Sequence, residues 1–138
     1  MDNYPTCEVL IPSQKMQLAW DIMTTAIERG INYWAEIIHV ERNKDLDVIF
    51  FMVNDRDDIL RMNKMLVIVD SLIIEKGMRD IAKYSYDEKD HGIYPYFLDF
   101  QERIKFALKN PASEQNDFDV KDVDMIVQWA IFGKLVYS

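Results

Sequence analysis

One block of β-type residues, from Asn32 to Val53, sits between segments whose apolar residues recur at helical spacing. This arrangement constrains the fold more than any other feature of the chain. Aromatic and β-branched residues at 32–40 and 46–53 suit pleated, half-buried strands. The polar run Glu41–Asp47 between them can turn. An antiparallel hairpin over 32–53 follows, and a hairpin of two strands needs a packed layer to be stable in water. Alternation would place Trp34, Glu36, Ile38 and Val40 on one face, and Tyr33, Ala35, Ile37 and His39 on the other.

The flanking segments supply that layer. Residues 13–29 read as a helix with Ser13 as N-cap. Met16, Ala19, Trp20, Met23, Ala26 and Ile27 form one apolar stripe, and Gly30 is a left-handed C-cap candidate. A second helix is expected over 64–84 behind Asn63, with a strand at 65–69 as the competing reading because of its β-branched content. A third covers 97–108, with Phe97, Phe100, Ile104 and Leu108 on one face. Asp117 or Asp119 can cap a fourth at about 120–131, with Val123, Ile126, Val127 and Ala130 inward. A short third strand at 59–62 and an extended end from Gly133 to Ser138 complete the expectation. Helices and a small antiparallel sheet are segregated along the chain, so the class is α+β with about four helices. The 138 residues fit a single domain, 1–138.

Charge narrows the function classes. Sixteen basic and 24 acidic residues give a net charge of −8. Non-specific grip on nucleic acid needs clustered Lys and Arg, so direct nucleic-acid binding is not expected. Anionic membrane surfaces are disfavoured, and the longest apolar runs, Val48–Val53 and Leu66–Val69, fall far short of the ~20 residues that span a bilayer. The segment Ser85–Asp124 holds ten acids against five bases, so −5 of the −8 lies there. Such a stretch can steer association with a basic protein. A lone cysteine, Cys7, permits no internal disulfide, which points to a reducing cytoplasm.

No residue pattern announces catalysis. The four glycines are not spaced as a phosphate loop. His39 and His91 lack the i, i+4 partner of zinc helices, and with Cys7 they form no zinc pattern. Asp55, Asp57 and Asp58 lack the glycine and distal glutamate of a calcium loop, and Asp87–His91 reads as a solvated charge run. No cofactor or metal is therefore expected. The acids Asp117, Asp119, Asp122 and Asp124 fall at a helix N-terminus, where they complement the helix dipole.

The candidate binding residues are Asn32, Tyr33 and Trp34 in one cluster and Gln128 and Trp129 in another. Amphipathic aromatics suit binding surfaces. The reading favoured by turn chemistry is that Trp34 enters the core at a helix-to-strand corner while Asn32 serves the turn. Gln128 in an apolar helix needs partners, which a structural bond or a ligand could supply.

These same segments carry a resemblance. Gly30-Ile31-Asn32-Tyr33-Trp34 follows a helix, and Val123-Asp124-Met125-Ile126-Val127-Gln128-Trp129-Ala130-Ile131-Phe132-Gly133-Lys134-Leu135-Val136-Tyr137 closes the chain. Together they resemble a family of small proteins encoded by bacteriophages and prophages. Its members pair a Gly-Gly-Ser-Asn-Tyr-Trp-like element with an Ala-Asp-x-Ile-Leu-Gln-Tyr-Ala-Leu-Phe-Gly-Glu-Ile-Val-Tyr-Gly-like end. Arg29, Lys134 and Ser138 depart from that pattern. The resemblance implies a viral or mobile-element origin inside a bacterial cell, and it brings neither an activity nor site residues.

Two function classes remain in front of an enzyme. One is a non-enzymatic interaction protein that binds a basic host or phage protein, or self-associates through exposed tyrosines and methionines. The other is a nucleotide-binding protein that stacks a base on Tyr33, Trp34, Tyr94, Tyr96 or Trp129, with Arg29, Arg42 and Arg103 as the cations available for phosphate.

Overall fold

The computed structural model describes residues 13–42, 48–54, 66–85 and 96–136. Helix α1 (Gln14–Thr25) starts at Ser13, whose hydroxyl accepts the Met16 N–H at 3.1 Å. It runs into a π-helical segment, Ala26–Gly30. A three-stranded antiparallel sheet follows, with β1 (Ala35–Arg42), β2 (Val48–Asn54) and β3 (Leu66–Val69) in spatial order β1-β2-β3. Three helices complete the chain: α2 (Ser71–Lys83), α3 (Phe97–Lys109) and α4 (Val120–Phe132). The α+β expectation of a small antiparallel sheet with four helices therefore holds.

Several local expectations are corrected. Gly30 is not left-handed; among the described glycines only Gly133 has positive φ, at 71°. Gly30 is instead buried against α4, where a Cβ would lie 3.4 Å from Val123 Cγ1. Strand β1 starts at Ala35, because residues 31–34 form a turn in which the Ile31 carbonyl accepts both the Trp34 and Ala35 N–H groups. Tyr33 and Trp34 thus do not belong to the alternating faces.

The alternation itself also breaks. The β1–β2 register shifts between Ile37 and His39, placing one extra residue in β1. A bulge of this kind rephases every side chain beyond it. Ala35 is buried and Ile37 partly so, whereas Ile38, His39 and Val40 are exposed.

The single helix expected over 64–84 is a strand followed by a helix. Leu66–Val69 is β-branched and pairs with β2, from Phe50↔Val69 to Val53↔Leu66. Asp70 then caps α2, its carboxylate accepting the Ile73 N–H at 3.0 Å. The chain from Gly133 to Val136 forms no strand. The expected third strand at 59–62, the Asn63 cap, the acidic groups at 55–58 and 87–91, and Cys7 lie outside the described residues.

Helix α2 is central and packs against α1, α3 and α4. Its Gly77 faces Ala130 of α4 so closely that a Cβ there would lie 2.7 Å from the Ala130 Cβ and 2.8 Å from its Cα. The missing side chain lets the two backbones approach. Trp34, Met23, Ile31, Ile74, Ile81, Phe97, Phe100 and Ile104 are among the fully buried side chains. Trp129 packs between Tyr84 and Phe97, with centroids at 5.1 and 5.5 Å.

A buried glutamine closes the end of α2. Gln101, on α3, donates both amide hydrogens to carbonyls near that end, Ile81 at 2.9 Å and Tyr84 at 2.7 Å. Gln101→Met preserves the bulk and removes both donors. A buried acceptor left unsatisfied costs about 1–3 kcal/mol. The variant should lose stability in that range in urea unfolding, with m unchanged, and a neutral result would show that water replaces the amide.

Candidate functional site

Four of the five sequence candidates lie in or beside the corner where the π-helical segment turns into β1 and meets α4. The turn at 31–34 projects Tyr33 and Trp34 toward α4. Asp124, one turn into that helix, receives them. Its Oδ1 accepts the Trp34 Nε1–H at 2.7 Å and the Gln128 Nε2–H at 2.9 Å, and its Oδ2 accepts the Tyr33 hydroxyl. Gln128 Nε2 also lies 3.3 Å from the Tyr33 oxygen, and Gln128 Oε1 accepts the Val136 N–H at 2.8 Å. Asp124 and Gln128 are four residues apart, which places them on one face of α4.

The network is closed rather than open. Gln128 is 0% and Trp34 2% exposed, so neither the amide nor the indole face is presented to solvent. Trp34 also packs against Phe132, with centroids 5.6 Å apart. Tyr33 is half-exposed, and its ring rests at the rim of the network. Asn32 is exposed, and its amide donates to the Glu28 carbonyl at 3.4 Å, inside the π-helical segment. Trp129, the fifth candidate, points the other way, into the aromatic core with Tyr84 and Phe97. The segment around Asn32–Trp34 and the segment from Asp124 to Val136 therefore meet each other in space. What they build is a hydrogen-bonded clamp between the start of the sheet, α4 and the chain after Gly133.

Burial, and then the bond to Asp124, push the Tyr33 phenol above its ordinary value. The folded state thus prefers the neutral hydroxyl. Its contribution to stability is complete below about pH 10, where the unfolded tyrosine is also neutral, and falls as pH rises beyond that. Tyr33→Phe removes this dependence. The stability gap between the parent and Tyr33→Phe should be widest near neutral pH and should narrow above about pH 10. A gap constant across an alkaline urea series would show that the hydroxyl is not held neutral by the fold.

A second carboxylate, missed in the sequence reading, joins α3 to α4. Asp122 is buried at 5% exposure and receives Arg103 in a bidentate pair, Nη1 to Oδ2 at 2.7 Å and Nη2 to Oδ1 at 2.9 Å. Asp122 also completes a capping box with Asp119. The Asp119 carboxylate accepts the Asp122 N–H at 2.8 Å, and Asp122 accepts the Asp119 N–H at 3.0 Å. Arg103 Nε reaches Asp99 at 3.1 Å. These bonds, the one to Asp122 foremost, push the guanidinium pKa further up from its ordinary value. The spacing of Arg103 four residues after Asp99 was the available signal for its orientation along the helix; its distant partner Asp122 had none.

A shallow groove of about 240 Å³ lies beside this pair, between α3 and the loop 110–119. Phe106 and Phe118 supply its apolar lining, with Glu102 and Asp117 contributing carboxylates and Gln115 and Asn116 amides. None of the five candidate binding residues lines it. Among the described residues, no group of three His, Cys, Asp or Glu is placed to hold a metal ion. No helix among them is long and apolar enough to cross a membrane. Neither family models, nor curated proteins, nor solved structures yielded a match to this chain.

Proposed function

We propose that this is a non-enzymatic, acidic interaction protein of phage or prophage origin. In this reading it acts in the cytoplasm of a bacterial host, where it binds a basic surface of a host or defence factor and blocks it. The observation that carries the reading is the density of exposed carboxylates on α3 and the loop before α4. Asp99, Glu102, Glu114, Asp117 and Asp119 are all exposed within 21 positions of one another. Lys105, Lys109 and Lys121 are the lysines between Asp99 and Asp124, and Arg103 there is already bound to carboxylates. An acid-rich surface of this kind raises association rates with a basic partner and makes them fall with salt.

The clamp at Tyr33, Trp34, Asp124 and Gln128 accounts for the most distinctive sequence elements by folding, so the reading rests on the charged surface.

The test is affinity capture from bacterial lysate at about 50 mM and about 500 mM salt, where the Debye length changes from beyond 10 Å to a few ångströms. A partner retained at low salt and released at high salt is the expected result. A variant carrying Asp99→Asn, Glu102→Gln, Glu114→Gln and Asp117→Asn should fail to retain it. Recovery of no partner at either salt would remove the basis of the proposal.

A further inference from the structure

We propose that the groove between α3 and the loop 110–119 is the docking site for an arginine side chain of that basic partner. This inference rests on the acidic-interaction reading and locates its contact point. Three observations carry it: size, preformed shape and charge.

The size is about 240 Å³. Pockets for drug-sized ligands run from ~300 to ~1,000 Å³, so this one suits a single long side chain better than a nucleotide. The wall is also built in advance. The Asn116 amide donates to the Asn110 carbonyl at 2.7 Å, and Asn110 donates to the Phe106 carbonyl through its backbone at 2.8 Å and its side chain at 3.1 Å. The Ser113 hydroxyl accepts the Gln115 N–H at 3.1 Å, and the Gln115 carbonyl accepts the Asp117 N–H at 2.9 Å. A loop tied this way loses little further freedom when a ligand enters.

The charge selects a cation. Arg103 is the cationic residue of the lining, and its guanidinium is already shared between Asp122 and Asp99, so it has little left for an anion. Glu102 and Asp117 bring carboxylates to the lining. Lys105 meets Glu102 at 3.2 Å in an exposed i, i+3 pair, a weak competitor. Phe106 and Phe118 also line the groove and offer apolar area to the stem of the side chain. A planar, weakly hydrated guanidinium that stacks on an aromatic face and donates to carboxylates fits this lining better than an ammonium.

The experiment is an amide-resolved NMR titration of the full chain at low ionic strength with the acetylated, amidated tripeptide Gly-Arg-Gly. The lysine and citrulline versions run beside it. Saturable shifts at Phe106, Asn116 and Phe118 are expected, strongest for arginine and absent for the neutral citrulline. The Glu102→Gln/Asp117→Asn variant should bind about fivefold more weakly, the effect of losing two partly exposed ion pairs, whereas Glu75→Gln on α2 should bind as the parent does. The variant's spectrum away from the groove reports whether its fold is intact. Equal binding of citrulline, or no shifts at the groove, overturns the assignment. Arginine shifts that map to a different acidic face also overturn the groove, yet leave the basic-partner reading standing. That reading falls instead with the lysate capture.

Discussion

Asp124→Ala is expected to destabilise the protein by about 2–4 kcal/mol. The substitution takes one acceptor group from three donors at once. Two of these, the Trp34 indole N–H and the Gln128 amide, belong to residues with at most 2% exposure. Loss of a buried hydrogen bond of this kind costs about 1–3 kcal/mol; the Gln128 amide keeps its 3.3 Å contact with the Tyr33 oxygen, and the half-exposed Tyr33 hydroxyl can recover a bond to water. The sum is a large part of the 5–15 kcal/mol that holds an ordinary domain together. Asp124→Asn keeps one carbonyl oxygen and should cost less than half as much. Urea unfolding of the two variants checks the order. A loss below about 1 kcal/mol for the alanine variant would mean that water enters the corner and replaces the carboxylate.

Gly77→Ala should also destabilise, by about 2 kcal/mol, against the ordinary helix preference. Alanine in place of glycine within an exposed helix gains about 1 kcal/mol. Here the added Cβ would meet Ala130 at three atoms, at 2.7, 2.8 and 3.0 Å, and two of those are backbone atoms. Backbone cannot rotate away, so α2 and α4 must separate, and overpacking of this kind costs about 1–3 kcal/mol or more. The double variant Gly77→Ala/Ala130→Gly is informative. It removes the Cβ contact but not the contacts with Cα and N, so it should recover only part of the loss. Full recovery in thermal or urea unfolding would show that the helices meet through side chains alone. A stabilised single variant would refute the close approach.

Much of this fold is written locally, and those parts could be read from the chain. Ser13, Asp119 and Gly133 lie where capping chemistry places them, and the stripes on α1, α3 and α4 face inward as their spacing implies. The errors share a physical origin. Leu66–Val69 has an apolar pattern compatible with either state, and its pairing with β2, a contact distant in sequence, decides for strand. The bulge after Ile37 has no marker in residue type, since neither a glycine nor a proline stands there.

The candidate site was legible as residues but not as an arrangement. Asn32, Tyr33, Trp34 and Gln128 were conspicuous because their polar groups must find partners. The partner itself, Asp124, looked like one helix-terminal acid among four. Asp122 was hidden in the same way, because an acid near a helix start needs no tertiary explanation. Only the fold distinguishes Asp119, which caps, from Asp122, which anchors α3, and from Asp124, which holds the corner.

The π-helical segment has a consequence for how this chain can tolerate insertion and deletion. A turn bonded i to i+5 carries about one residue more than an α turn, and one α-helical residue corresponds to a rotation of about 100°. Removing one residue between Ala26 and Gly30 would therefore leave an ordinary α turn that still carries the chain through one revolution. The 31–34 turn would keep its direction, and the Trp34 indole its aim at Asp124, whereas the same deletion within α1 proper would rotate that turn by about 100°. The π-helical segment is the place where the helix can absorb the loss of one residue.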